Sequence, residues 1–255
     1  MIVRAKPGET VVAVPESRYD EVWALVSAES TMPADKPEVF GWLQRLCRAA
    51  VRSLPATGVG LSLMSDEGAP TGVAASDPGS ELIEELQFVL GEGPCLDSFE
   101  SGGPVLTADL TEAAHTRWPV YAPAVRAHGV HAVFAFPMRI GAARLGVLDV
   151  YRDRVGELSG PTLRRAMTFA DVAMRSLLDA QQQTGASAVP RGLEDALGSR
   201  LEVYQAQGMV AVQLGVSLRE AMVRLRAYAY AHERRLSDVA DDVIARRINL
   251  EAEKD

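Results

Sequence analysis

The 255-residue sequence predicts an α+β fold: an antiparallel sheet with flanking helices, followed by an all-α module of three helices. Three observations carry that expectation. Two pairs of short strand-like segments are each separated by a tight turn, as in β-hairpins. Segments with apolar residues at three- and four-residue steps precede, separate and follow them, as in amphipathic helices. A stretch rich in Gln, Gly, Ser and Pro, "QQQTGASAVPRG", then divides the chain into parts of opposite charge.

Residues 1 to 37 mix Pro, Gly and Glu and are expected to form an arm with one short helix around Tyr19 to Val26. From Phe40, the residues Leu43, Leu46, Cys47, Ala50, Val51 and Leu54 recur at helical spacing until Pro55 and Gly58 end the run. "GVGLSLMS" alternates as a strand, "DEGAP" turns, and "TGVAAS" returns as its partner. In "SELIEELQFVLGEGPC" the residues Leu82, Leu86 and Leu90 mark a helix stopped by Gly91, Gly93 and Pro94. "PVLTADL" reads as a strand and "WPVYAPAVRAHG" as a helix closed by Gly129. "HAVFAFPMRI" and "ARLGVLDVYR" form a second hairpin across Gly141, and a long helix runs from about Pro161 to Gln183. Strands in adjacent hairpins with helices around them give an antiparallel sheet. The long helix carries Leu163, Ala166, Met167, Ala170, Ala173, Met174, Leu177 and Leu178 in a stripe about half its circumference wide. That stripe serves either packing on the sheet or a dimer seam.

Composition bounds the function. Hydrophobic residues make up 47% and charged residues 24%, as in an ordinary folded protein of one large or two small domains. No apolar run approaches the ~18 to 20 residues that cross a bilayer, so no membrane role and a cytoplasmic location are expected. Cys47 and Cys95 lie far apart, without the spacing of a metal knuckle or redox pair. The net charge of −8 is uneven: residues 200 to 250 hold eight arginines against six acidic residues, leaving the remainder at −10. Different partners for the two parts follow. Phosphate-cradling, nucleophile-elbow and metalloprotease motifs are all missing, so the chain is not expected to be an enzyme.

The segments "LGEGPC", "GVHAVFAFPMR" and "GVLDVY", in this order of strands and helices, resemble the GAF family of small α+β sensor domains. The resemblance covers roughly residues 40 to 180. It implies a sensor or dimerisation domain; members bind cyclic nucleotides, haem, bilins, small metabolites or nothing detectable, so a small-molecule ligand is expected without a cofactor being identified. Cys95, after Gly93 and Pro94, is a redox or ligand-attachment candidate only if exposed with a lowered pKa; a buried thiol acting as a small hydrophobe is the preferred reading. His115, His128 and His131 are read as surface or capping residues, because no Cys, Asp or Glu cluster accompanies them.

In the C-terminal part, one helix is expected from about Arg200 to Leu214, stopped by Gly215. Ser217 and Glu220 form a capping box for a second, which ends near His232, and Ser237 caps a third. Asp238, Asp241 and Asp242 in its first turns and Arg246 and Arg247 near its end complement its dipole. "YQAQGMVAVQLGVSLREAMVRLRAYAYAHERRLSDVADDVI" resembles the ANTAR domain, a three-helix module that binds RNA hairpins and promotes transcription antitermination. The matched residues are Gln205, Ala206, Gly208 and Met209; Ser217, Glu220, Ala221, Leu225 and Arg226; and Arg235, Leu236, Asp238, Val239 and Ala240. Gln207 stands where the family often has lysine, which removes one point charge from phosphate attraction. The candidate RNA-binding residues are therefore Gln205, Ala206, Gln207, Gly208, Met209, Arg226, Arg234 and Arg235, with the arginines placed to contact phosphates or stack on unpaired bases. Ala206 and Gly208, taken alone, read as packing positions.

The expected organisation is an arm (1–37), a GAF domain ending in a long helix (38–183), a linker (184–198) and an ANTAR module (199–250). The expected function is a signal-responsive regulator acting in antitermination, a homodimer binding paired RNA stem-loops. Its alternatives are a DNA-binding helix-turn-helix regulator, disfavoured by the acidic start of the third helix, and an oligomerisation scaffold without nucleic-acid affinity.

Overall fold

The computed structural model describes residues 16–30, 38–64, 70–141, 143–184, 193–232 and 234–250. A five-stranded, wholly antiparallel sheet comprises β1 (Gly58–Met64), β2 (Pro70–Ala75), β3 (Val105–Thr107), β4 (Ala132–Ile140) and β5 (Ala143–Arg152), in the spatial order β2-β1-β5-β4-β3. Both hairpins lie at the expected segments. The period of two sorts β4 and β5 onto opposite faces. Phe134, Phe136, Met138, Leu148 and Val150 point to one side; Val133, Ala135, Val147 and Tyr151 point to the other. Both faces are covered, so polar residues in these strands are buried too.

The first face meets α1 (Glu16–Ser27), α2 (Glu38–Ser53) and α7 (Gly160–Thr184). The helix expected in the arm is thus part of the core: Val22 and Val26 are buried, and Trp23 packs on Trp42 with ring centroids 4.7 Å apart. The rest of the arm, 1–15 and 31–37, lies outside the described residues. On α7, Ala166, Ala170, Ala173, Met174 and Leu177 are buried within this chain, while Met167 is exposed. Packing in this chain therefore accounts for most of the stripe.

The second face carries α3 (Pro78–Leu90), α4 (Pro94–Ser101), α5 (Glu112–Arg117) and α6 (Tyr121–Ala127). Neither α4 nor α5 is legible as a periodic segment. Pro94, read as the stop of α3, opens α4 instead, at the first-turn position where its missing N–H costs nothing.

The C-terminal module has α8 (Leu193–Leu214), α9 (Leu218–Ala231) and α10 (Leu236–Ile244). Helix α8 starts at Leu193, inside the stretch read as linker; residues 185–192 of that stretch lie outside the described residues. Ser217 caps α9, its Oγ accepting from the amide of Glu220 at 3.2 Å. Ser237 does not cap α10: Arg235 occupies the cap position without a side-chain bond, and the helix begins one residue before Ser237. Val203, Ala206, Val210, Leu225, Val239 and Val243 form the module's core, and Phe88 of α3 is buried among them. Among the described residues, no helix is long and apolar enough to cross a membrane.

Candidate functional site

Among the described residues, two places hold side chains whose chemistry exceeds what packing requires. The first is a buried polar cluster between the sheet and α3. Glu84 and Gln87 are one turn apart on α3, Ser62 lies on β1, Asp149 and Tyr151 alternate on β5, and Tyr121 opens α6. Ser62 Oγ donates to one Glu84 oxygen at 2.5 Å and the Tyr151 hydroxyl donates to the other. Gln87 Nε2 donates to Asp149 Oδ2 at 3.0 Å, and Gln87 Oε1 accepts from the Cys95 amide at 2.9 Å. Helix α3 approaches β1 this closely because Gly60 has no side chain: a Cβ there would lie 2.0 Å from Glu84 Oε1.

Glu84 is 2% exposed and Asp149 fully buried, so two carboxyls share one buried compartment. Burial, then the neighbouring Glu84, holds the Asp149 carboxyl well above the ordinary carboxylate range. Two hydroxyl donors on Glu84 suit a carboxylate there, which places the pair's proton on Asp149. Asp149 Oδ1 and the Tyr121 hydroxyl have no hydrogen-bond partner among the described residues. Burial also pushes the Cys95 thiol up, with Asp149 and Glu84 adding to the effect. Cys95 is fully buried and protonated in this state, and lacks the exposure and thiolate character of a redox sensor. No group of three or more His, Cys, Asp or Glu side chains placed to hold a metal occurs among the described residues.

This cluster makes stability depend on pH in a definite direction. A carboxyl whose folded pKa is raised contributes fully below the unfolded value, and that contribution is lost as pH rises through the folded value. Asp149→Asn keeps an acceptor for Gln87 and an N–H facing Glu84 while removing the titration. The substitution is expected to melt higher than the parent near pH 8, with a flatter dependence across about pH 5 to 8. Thermal melts across that series check it, and a parent whose stability rises with pH more steeply than the variant's would overturn the assignment. Glu84, Cys95, Tyr121 and Tyr151 are the other titratable groups facing Asp149.

The second place is the surface of the C-terminal module. The eight residues singled out from the sequence do not form one exposed patch. Ala206 and Gln207 are buried, and Gln207 Nε2 donates to the Leu218 carbonyl at 2.7 Å. Gly208 and Met209 are half-buried, and Met209 packs on the module's core. A Cβ on Gly208 would meet nothing within 4 Å among the described residues, so nothing described in this chain demands glycine there. Gln205 and Arg235 are exposed. Arg234 Nη2 donates to Asp242 Oδ2 at 2.6 Å and to the Asp238 carbonyl at 3.2 Å, while Arg247 pairs with the other oxygen of Asp242. Those two bonds hold the Asp242 carboxyl below its usual range.

Arg226 Nη2 donates to the carbonyl of Phe88, in the sheet domain, at 2.5 Å. Sequence reasoning had no means of supplying that partner. It also passed over one face of α9, where Arg219, Val223, Arg226 and Tyr230 fall at i, i+4, i+7 and i+11 and form one stripe. Arg219 is exposed, Val223 is 50% exposed and Tyr230 is 70% exposed. The signal was present in "LREAMVRLRAYAY", as a large aromatic opposite the helix's apolar face.

The comparisons with known proteins divide the chain as the structure does. The GAF domain family model matches residues 42–177, and the ANTAR domain model matches residues 191–244. Among solved structures, the GAF domain of a phosphoenolpyruvate-protein phosphotransferase from Coxiella burnetii is 17% identical, with a TM-score of 0.49 over 66% of this chain and 95% of that one. The corresponding Acinetobacter domain is 11% identical, with a TM-score of 0.48 over 66% and 96%. Free methionine-R-sulfoxide reductase from Neisseria meningitidis is 13% identical, with a TM-score of 0.47 over 72% and 99%. No curated protein matches the chain.

Proposed function

The chain belongs to the GAF domain family and continues into an ANTAR domain, which makes it a signal-regulated ANTAR-type regulator, and from that premise we propose that it binds paired RNA stem-loops in transcription antitermination. The observation that carries the proposal is the α9 stripe of Arg219, Val223, Arg226 and Tyr230, an arginine and aromatic face on an otherwise acidic protein. Unpaired bases are recognised by stacking on aromatic rings and guanidinium planes, with cations meeting the phosphates. Arg235, exposed at the start of α10, and Gln205 extend the set of groups able to reach RNA. No described residue comes within 4 Å of a Cβ on Gly208, which would let a nucleotide approach the α8 backbone. Two hairpins are served by two modules, hence by a homodimer. The GAF domain supplies the control, its buried carboxyl cluster being the place where a change of ligand or proton would be felt.

The test is binding of the full-length protein to an RNA carrying two stem-loops over a salt series, with duplex DNA of matched charge as competitor. Loop-dependent binding that resists the DNA is expected. Arg235→Ala should weaken it and flatten the dependence of log K on log salt by about 0.7, the contribution of one phosphate on a single strand. Equal competition by DNA would favour a helix-turn-helix regulator, and no affinity at low salt would favour a scaffold.

A further inference from the structure

Helix α3 has two working faces. Glu84 and Gln87 point into the buried cluster, while Phe88 points the other way, into the core of the ANTAR module. The Phe88 ring lies edge-on to Tyr204 with centroids 6.2 Å apart, and the Arg226 guanidinium carbon sits 5.7 Å from its centre. Phe88 also belongs to the last turn of α3, whose carbonyls lack intrahelical partners and carry the negative end of the helix dipole. Arg226 donates to one of these carbonyls, so it caps α3 from another domain. Gly91, which ends the helix at φ 69°, makes room for it: a Cβ there would lie 2.3 Å from Arg226 Nη1.

We infer that the C-terminal end of α3 competes with RNA for Arg226, so that the GAF domain, docked as it is in this structure, restrains the ANTAR module. Arg226 is the third member of the four-residue α9 stripe, and a guanidinium donating to the Phe88 carbonyl presents fewer N–H groups to a phosphate or base. Docking and full RNA contact are therefore mutually exclusive at this residue. The cluster and the socket are linked within a single helical turn. Gln87 binds Asp149 and the Cys95 amide through its side chain, and its backbone carbonyl accepts the Gly91 amide that closes the helix. A shift of α3 at the cluster is thereby a shift of the Arg226 socket. This inference rests on the RNA-binding reading above and gives the GAF domain its sign, that of an inhibitor.

Gly91→Asn tests it in the full-length chain. Asparagine tolerates the left-handed backbone at this position, but its Cβ fills the space occupied by Arg226. The variant is expected to bind the two-stem-loop RNA about tenfold more tightly than the parent, as loss of one charge-assisted hydrogen bond from the docked state allows. Adding Arg226→Ala to Gly91→Asn should remove that gain. Hydrogen exchange of α9, read in the same samples, should speed up in Gly91→Asn. Unchanged or weaker RNA binding by Gly91→Asn, with faster α9 exchange and an intact unfolding transition, would overturn the competition while leaving RNA binding standing. Absence of RNA binding by parent and variant alike would sink the RNA-binding reading, and unchanged exchange would show that the α3 contact does not hold the module at all.

Discussion

Gly146→Ala is expected to cost the protein more than about 3 kcal/mol and to lower its melting temperature by about 10 °C. Gly146 sits in β5, the central strand, opposite Leu63 of β1 and Met138 of β4. A Cβ there would lie 2.0 Å from the Ser62 carbonyl oxygen, 3.0 Å from Leu63 Cα and 2.7 Å from Met138 Cε. Two of these three neighbours are backbone atoms in a paired strand, which cannot rotate aside as a side chain would. The strands must separate or slip, and a slip of one residue turns Asp149 and Tyr151 away from Glu84. The damage therefore spreads from packing to the polar cluster. Gly41→Ala is the matched control: it lies inside α2, its Cβ would meet nothing within 4 Å among the described residues, and it should stabilise by up to about 1 kcal/mol through helix propensity. Thermal or denaturant unfolding of both variants decides the matter, and a Gly146→Ala protein as stable as Gly41→Ala would show that β1 and β5 can separate enough to admit a methyl group.

The sheet was legible because its hairpins are local, as in "HAVFAFPMRI" and "ARLGVLDVYR", two strand-length apolar runs separated by a short turn at Gly141. The small helices α4 and α5 were not, since eight and six residues give too few turns for a periodic signal. The carboxyl cluster was hidden for a different reason. Its members come from β1, α3, α6 and β5, and a polar residue in an alternating strand reads as solvent-facing unless the second face is known to be covered. Asp149 is such a residue. On the module, the motif residues were legible as a family pattern, yet that pattern mixes packing with contact: Ala206 fills the core, whereas Arg235 faces outward. Which arginines reach solvent depends on neighbours remote in sequence, as Phe88 is from Arg226.

Tyr230→Ala should be the most damaging single change to RNA affinity, about 5- to 150-fold, which is the weight of one base stacked on an aromatic ring. The side chain is 70% exposed, so its removal takes little from the module's core and should leave unfolding within about 0.5 kcal/mol of the parent. Tyr230→Phe should retain most of the affinity, because stacking needs the ring and not the hydroxyl. A neutral Tyr230→Ala beside a weakened Arg235→Ala would mean that the module attracts RNA by charge alone and that the α9 stripe is not its reading face. The same substitution also separates the stripe's two halves. Tyr230 is exposed while the module is docked, whereas Arg226 is held by α3. The loss caused by Tyr230→Ala should therefore be similar in the parent and in Gly91→Asn, and the loss caused by Arg226→Ala should be larger in Gly91→Asn. A double-mutant cycle in which Arg226, and not Tyr230, is coupled to Gly91 is what competition for one guanidinium requires.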